Sequence, residues 1–143
     1  MEGVYVLVEA PKPNAEKDGL TRQQLQTDVE LRLRKASIRV VSGKEKYDIP
    51  GWPRLYVNVN TLRMENPPEY IYSIRINLDQ QVTLKRDPSI ETMGTTWFTH
   101  VVGTIGVDKM PQKIRESVVG LVDDFIDDYL AANAITREAP AEE

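Results

Sequence analysis

The sequence predicts an α+β fold, a two-layer α/β sandwich in which a mixed five-stranded sheet carries two helices on one face. Segments with apolar and polar residues in strict alternation fill the middle of the chain, which is typical of strands with one buried face. The last regular segment is instead apolar at helical spacing. Its apolar residues are Ile114, Val118, Leu121, Val122, Phe125, Ile126, Tyr129 and Leu130. Together with the elements described next, these segments give the order β-α-β-β-β-β-α.

The chain begins with a predicted β-α-β unit. Residues 4–8 form a continuous apolar run that ends in the turn-rich residues 10–14. Thr21 and Gln24 have the spacing of a capping box, so a helix is expected from there to about Ala36. Ser37 stands where a helix often ends, and residues 38–41 have the composition of a second strand. A crossover of this kind makes the two strands parallel.

Three further strands are predicted before the closing helix. Residues 55–60, 70–84 and 95–105 alternate in polarity, and they are separated by a turn at residues 66–68 and a polar loop at residues 85–94. At ~3.3 Å per residue the middle strand would reach on the order of 50 Å, so we expect a bend or bulge near Gln80. The closing helix is expected to start near Asp108 and to end near Asn133.

Length and composition predict one soluble domain over residues 1–133, followed by a disordered acidic tail at residues 134–143. Hydrophobic residues make up 41% of the chain and charged residues 28%, which is ordinary for a globular protein. No apolar run approaches the ~20 residues that a transmembrane helix needs. The net charge of -4 disfavours nucleic acid as a partner. Because cysteine is absent, disulfides and thiolate metal sites are excluded.

The side of the sheet opposite the helices is expected to be open, and it is the predicted binding surface. Polar groups with interleaved aromatic residues suit a protein interface, where Tyr and Arg are enriched. The alternative interpretation is an ordinary solvated sheet face. The face is predicted to present Tyr56, Asn58, Asn60, Arg75, Asn77, Asp79, Gln81, Phe98, His100 and Val102. The candidate binding residues among them are Tyr56, Asn58, Arg75, Asn77, Asp79, Phe98 and His100.

No motif in the sequence indicates a particular reaction, and we expect no cofactor and no catalytic residue. His100 is the only histidine, and a general base would need a carboxylate partner such as Asp79 within hydrogen-bond reach. The segment Gly103-Thr104-Ile105-Gly106 lacks the Lys-Ser/Thr pair of a phosphate-binding loop. The alternative hypothesis is a small-ligand binding protein or enzyme that uses the open face around His100, with Tyr56 and Arg75.

A group of aspartates near the end of the closing helix is a weak candidate for cation binding. The pairs Asp123/Asp127 and Asp124/Asp128 are four residues apart, so their like charges repel at the negative end of the helix dipole. A divalent cation or a basic partner would relieve that repulsion. The four carboxylates span too wide an arc to converge on one ion without another chain segment. A solvated acidic helix face is therefore favoured, and no metal is expected.

Several stretches resemble a group of small uncharacterised bacterial proteins that are usually made with an export signal. These stretches are LTRQQLQTDVELRLRKASIRVV, PRLYVNVNTL, YIYSIRINLDQQVTL, TTWFTHVVGTIG and IRESVVGLVDDFIDDYLAAN. The element order also resembles the amino-terminal α/β domain of the periplasmic Tol-system propeller protein and related domains of outer-membrane-associated lipoproteins. The resemblance implies an exported envelope protein that acts through protein contacts, and it carries over no catalytic residue.

The leading hypothesis is therefore a non-catalytic protein-interaction or assembly module of the bacterial cell envelope. We expect an unidentified protein partner, with a homodimer as a second possibility. The first residues lead directly into a strand and lack the features of a signal peptide, and no lipid-attachment cysteine is present. We expect a periplasmic or otherwise exported protein whose leader has been removed, with a cytoplasmic protein as the alternative.

Overall fold

A computed structural model describes the backbone of residues 1–138 and the side chains of residues 1–134. Its elements are β1 (Val4–Val8), α1 (Pro13–Lys17), α2 (Arg22–Lys35), β2 (Val40–Val41), β3 (Arg54–Glu65), β4 (Pro68–Leu84), β5 (Asp87–Gly106) and α3 (Met110–Glu138). The strands form one five-stranded sheet in the order β2-β1-β3-β4-β5.

The sheet is mixed, as predicted. Strand β1 pairs in parallel with both β2 and β3, and β3, β4 and β5 form an antiparallel meander. The parallel pairing of β1 and β2 confirms the β-α-β unit. Strand β2 is shorter than expected, because regular pairing covers Val40 and Val41 rather than residues 38–41.

Helix α2 begins at the predicted capping box. The Thr21 hydroxyl accepts a hydrogen bond from the Gln24 amide at 3.2 Å, and the Gln24 side chain accepts one from the Thr21 amide at 3.0 Å. These two bonds satisfy N–H groups that have no partner inside the helix. At the other end, Ser37 has a φ of 62°, the left-handed conformation in which helices commonly stop. The predicted bounds of this helix are therefore confirmed.

The core lies between the sheet and the two long helices. Helix α2 buries Leu25, Val29 and Leu33, and helix α3 buries Ile114, Val118, Val122, Phe125 and Ile126. Both sets belong to one cluster with the inward residues of β1, β3 and β4. Because both helices bury their apolar stripes against the same side of the sheet, the predicted two-layer α+β fold is confirmed.

The prediction of a polar loop at residues 85–94 is wrong, because β5 already begins at Asp87. Strands β4 and β5 continue beyond the start of β3 as a two-stranded arm, where Val82 pairs with Thr92. Residues 87–93 of this arm are all exposed. Their sequence therefore lacks the alternation that a half-buried strand requires.

The bulge expected near Gln80 is present. The pairing register of β4 and β5 shifts between Leu78 and Asp79, so that Thr96 is an extra residue on β5. The Gln80 side-chain amide donates a hydrogen bond to the Thr96 hydroxyl at 2.7 Å. Gln80, a polar residue at a position on the apolar face, thus stabilises the bulge that the sequence predicted near it.

Two helices differ from the prediction. The backbone of α3 continues through Glu138, beyond the end expected near Asn133. Residues 139–143 of the predicted tail lie outside the described residues. The short helix α1 was not predicted, since residues 10–14 were interpreted as a turn. Within residues 1–138, no helix is both long and apolar enough to cross a membrane.

Candidate functional site

The open face of the sheet consists of side chains that the strand register aligns in rows. One row joins Tyr5, Arg54, Asp79 and Thr95, and the next joins Leu7, Tyr56, Asn77 and Phe98. The following rows are Asn58-Arg75-His100, Asn60-Ser73-Val102 and Leu62-Ile71-Thr104. All seven candidate residues lie on this face. Gln81 lies farther out on the arm, opposite Met93.

The centre of the face is the row Asn58-Arg75-His100. A depression of about 430 Å³ lies over it, and its other lining residues are Asn60, Ser73, Ile74 and Phe98. Arg75 is exposed, and its Nε donates a hydrogen bond to the Asn77 side chain at 2.9 Å. In the described part of the chain Arg75 forms no ion pair. The guanidinium therefore retains donors that point to solvent.

Exposed apolar side chains share the open face with Arg75. Phe98 and Val102 are 64% and 65% exposed, and they flank His100 on β5. Leu62 and Ile71 are also exposed at the far end of the face. Single exposed apolar residues are common on protein surfaces, but here four of them share one side of one sheet.

The Asp79 end of the face is held by internal contacts. The Asp79 carboxylate accepts hydrogen bonds from Arg54 at 3.1 Å and from the Thr95 hydroxyl at 2.6 Å. The Tyr56 hydroxyl donates to Glu9 at 3.0 Å. Burial, and then this carboxylate, raise the pKa of Tyr56, so its hydroxyl stays protonated at neutral pH. The Asp79 carboxylate and the Tyr56 hydroxyl are thus occupied by hydrogen bonds within the chain.

The groups required by the catalytic alternative do not converge. Asp79 lies four residues along β4 from Arg75, which pairs with His100, and this corresponds to about 13 Å. Among the side chains of residues 1–134, no carboxylate accepts a hydrogen bond from His100. Tyr56 bonds Glu9, and Asp79 bonds Arg54 and Thr95, so neither of them joins Arg75 and His100 in the depression that those two residues line. A general acid–base pair therefore does not exist in this arrangement.

An aromatic cluster at the β1 end of the face was not predicted. Tyr5, Lys46, Tyr47, Trp52, Arg54 and Met93 line a depression of about 240 Å³. The Lys46 ammonium lies 4.7 Å from the centre of the Tyr5 ring and 5.0 Å from that of Tyr47, which is the geometry of a cation–π contact. Tyr47 is 61% exposed. The cluster extends the open face with a second region of aromatic and cationic groups.

Trp52 belongs to this aromatic cluster. Its ring meets Tyr47 edge to face at 5.2 Å, and its backbone φ is 48°. A bulky residue rarely adopts this left-handed conformation, and the neighbouring Gly51 also has a positive φ. The available signal was compositional, since Tyr47, Trp52 and Tyr56 follow one another closely in the chain.

The acidic side of α3 is partly neutralised within the fold. Asp123 accepts hydrogen bonds from two nitrogens of Arg32, and this pairing raises the pKa of the guanidinium. Asp128 accepts a hydrogen bond from the Trp97 indole at 2.8 Å. Asp124 and Asp127 are exposed. In the described portion of the chain, no three carboxylate or histidine side chains are grouped so that they could hold a metal ion.

Comparison with known proteins gives little further identification. No protein-family model and no curated protein matches the chain. A crystal structure of a minor lipoprotein from Acinetobacter baumannii superimposes with a TM-score of 0.42 and 12% sequence identity. That alignment covers 92% of this chain and 94% of the lipoprotein chain.

Proposed function

We propose that this chain is a non-catalytic protein-interaction module of the bacterial cell envelope, and that it binds a partner protein through the open face of its sheet. The observation that supports this most is the exposed Arg75 on β4 beside His100, which the exposed Phe98 and Val102 flank on β5. Arginine and aromatic residues are the groups that most often dominate binding energy at protein interfaces. The separation of His100 from Asp79 favours binding over catalysis.

The chemistry of the face indicates what the partner presents. A carboxylate would accept the free donors of Arg75, and apolar side chains would cover Phe98 and Val102. The centre of the face is cationic although the chain has a net charge of -4, so it would attract an acidic patch that the rest of the surface repels. A partner with a carboxylate surrounded by apolar residues fits both features.

Three asparagines on the face support a recognition role. Asn58, Asn60 and Asn77 occupy strand positions, where asparagine is depleted relative to threonine or valine. Residues that reduce stability are commonly retained where function requires them. The side-chain amides of Asn58 and Asn60 can donate to and accept from a partner backbone, whereas Asn77 is buried and accepts from Arg75. The envelope location is supported by the sequence resemblance to exported bacterial proteins and belongs to the same proposal.

The test is capture of partners by immobilised protein from separate envelope and cytosolic fractions of the source cells. The open-face variant carries Arg75→Ser and Phe98→Ser. The matched control carries Arg34→Ser and Leu31→Ser, which remove one arginine and one exposed apolar residue from the outer side of α2. We expect mass spectrometry to identify an envelope protein that wild type and control retain and the open-face variant loses.

Equal retention by both variants would contradict the proposal, as would a partner found in the cytosolic fraction alone. Circular dichroism of each variant verifies that the fold is intact, since all four substitutions are at exposed positions. Binding should also weaken as salt rises, because the proposed contact involves the Arg75 charge.

A further inference from the structure

Strand β5 forms one edge of the sheet, and its composition is unusual for an edge. In the described chain its only ladder is with β4. From Thr92 to Val107 the sequence contains no Asp, Glu, Lys, Arg or Pro, although charged residues make up 28% of the chain. Natural sheets protect their edges with charges, prolines or covering elements, because a free edge pairs with other strands. A long uncharged edge indicates a strand that has a partner.

The core is incompletely closed on this side. Val101 and Ile105 point toward the helices and are only half-buried, whereas their neighbours on β4, Ile74 and Tyr70, are fully buried. The difference between paired residues on adjacent strands shows where the helix layer ends. Apolar groups of β5 therefore remain partly in water at a position where the next strand would cover them.

Helix α3 also has a partly exposed apolar residue on this side of the core. Asp128 contacts Trp97 on β5, which identifies the side of α3 that faces this strand. Leu121 lies two helical turns earlier on that side, and it is also only half-buried. Gly120 beside it has no atom within 4 Å of the position that a Cβ would occupy. The seam of Val101, Ile105 and Leu121 thus runs along both layers of the sandwich.

We propose that the β5 edge binds a second copy of this chain, with the two β5 strands antiparallel about a two-fold axis near Val101. Val101 is the midpoint of the regular segment between the bulge at Thr96 and the strand end at Gly106. In this register Trp97 of one copy faces Ile105 of the other, and Thr99 faces Gly103. The two sheets become one continuous sheet, and the seam of Val101, Ile105 and Leu121 in one copy packs against the same seam in the other.

A copy of the same chain fits this edge for two reasons. The pairing brings no like charges together, although each chain carries a net charge of -4. It is also self-complementary and closes at two copies, because the opposite edge, β2, is only two residues long and cannot extend the sheet. The inference goes beyond the proposed function, since the open face stays accessible in each copy.

The first test is the solution mass by light scattering at two concentrations. We expect wild type near twice 16.3 kDa and a Thr99→Lys variant near 16.3 kDa, because a lysine on the helix side of β5 blocks an edge. The control is Asn60→Lys on β3, which adds the same charge to the open face and should leave the dimer intact. A monomeric wild type overturns the inference, and so does a folded Thr99→Lys dimer.

A second measurement covers the case in which Thr99→Lys does not fold. Since the chain has no cysteine, Val101→Cys introduces a single thiol at the proposed axis. Opposed residues of an antiparallel pair have Cα atoms about 4.5–5.5 Å apart, within the range of a disulfide. Mild oxidation should convert most of this variant to a covalent dimer and leave Asn60→Cys monomeric. Equal cross-linking of both, or of neither, overturns the edge assignment without affecting the open-face proposal.

Discussion

The two faces of strand β4 differ in burial and in chemistry. Ile74 and Ile76 point toward the helices and are completely buried, whereas Arg75, between them, is exposed on the open face. One face holds the fold together through burial of apolar area, and the other presents hydrogen-bonding and charged groups to solvent. The residues that stabilise the fold and those proposed to bind a partner are thus one position apart along the chain, so we expect that each function can be altered without the other.

The largest expected effect is on the buried face. Ile76→Ala should lower the free energy of unfolding by about 2–5 kcal/mol, because it leaves a cavity in a close-packed core. Arg75→Ala, its neighbour, should change it by less than about 0.5 kcal/mol. Urea unfolding followed by circular dichroism measures both. Similar losses for the two variants would show that the faces are not energetically separate.

Two tyrosines that bond carboxylates provide a finer comparison. Tyr70 is fully buried and donates to Asp18 at 2.5 Å, whereas Tyr56 donates to Glu9 on the open face at 3.0 Å. Tyr70→Phe should cost about 1.5–3 kcal/mol, the usual value for a hydrogen bond to a charged group. Tyr56→Phe should cost less than about 1 kcal/mol, because water can replace its hydroxyl. Denaturant titration of the two variants at neutral pH decides this, and a larger loss at Tyr56 would contradict it.

The Tyr70 contact also predicts a pH dependence. The hydrogen bond from Tyr70, and then Arg63, lower the pKa of Asp18 below 3.8, so its contribution is present above that pH and is lost as pH falls through the lowered value. Burial and the Asp18 carboxylate raise the pKa of Tyr70 to about 12. The stabilisation by the protonated Tyr70 hydroxyl is therefore lost as pH rises from about 10 toward 12. The stability gap between wild type and Tyr70→Phe should therefore narrow at both extremes. Unfolding curves across the pH range measure the gap, and a constant gap would refute the assignment.

The smallest effect is expected on the open face itself. Asn60→Thr replaces a poor strand former with a good one at an exposed position, so it should raise the free energy of unfolding by a few tenths to about 1 kcal/mol. Capture of the envelope partner should decrease at the same time. A gain in stability with unchanged capture would show that this asparagine is not retained for binding.

The faces of the strands were predictable from sequence because burial on one side imposes a period of two residues. Residues 55–60 and 70–78 show that period, and their inward residues are in the core. Residues 87–93 lack it, since all of them are exposed. This part of β5 is a strand because it pairs with β4, and such pairing leaves no local pattern in the sequence.

The composition of the candidate site was predictable, whereas its geometry was not. Alternation assigned His100 and Asp79 to the same face, but their distance depends on the register between β4 and β5 and on the bulge at Thr96. The aromatic cluster around Trp52 depends on how residues 42–53 fold back over Tyr5. Contacts of this kind join distant parts of the chain and leave no period in the sequence.

The central position of β1 has a consequence for the order of folding. Strand β1 lies between β2 and β3, and it pairs with Val40 and Val41 on one edge and with residues 54–57 on the other, so both pairings join distant parts of the chain. The β3-β4-β5 meander needs only hairpin contacts, which close short loops and form quickly. We expect the meander to assemble first and β1 to insert last. Pulse-labelled hydrogen exchange should therefore find the amides of Tyr5 and Glu9, which donate to the carbonyls of Pro53 and Val57, protected after those of Ile74 and Ile76.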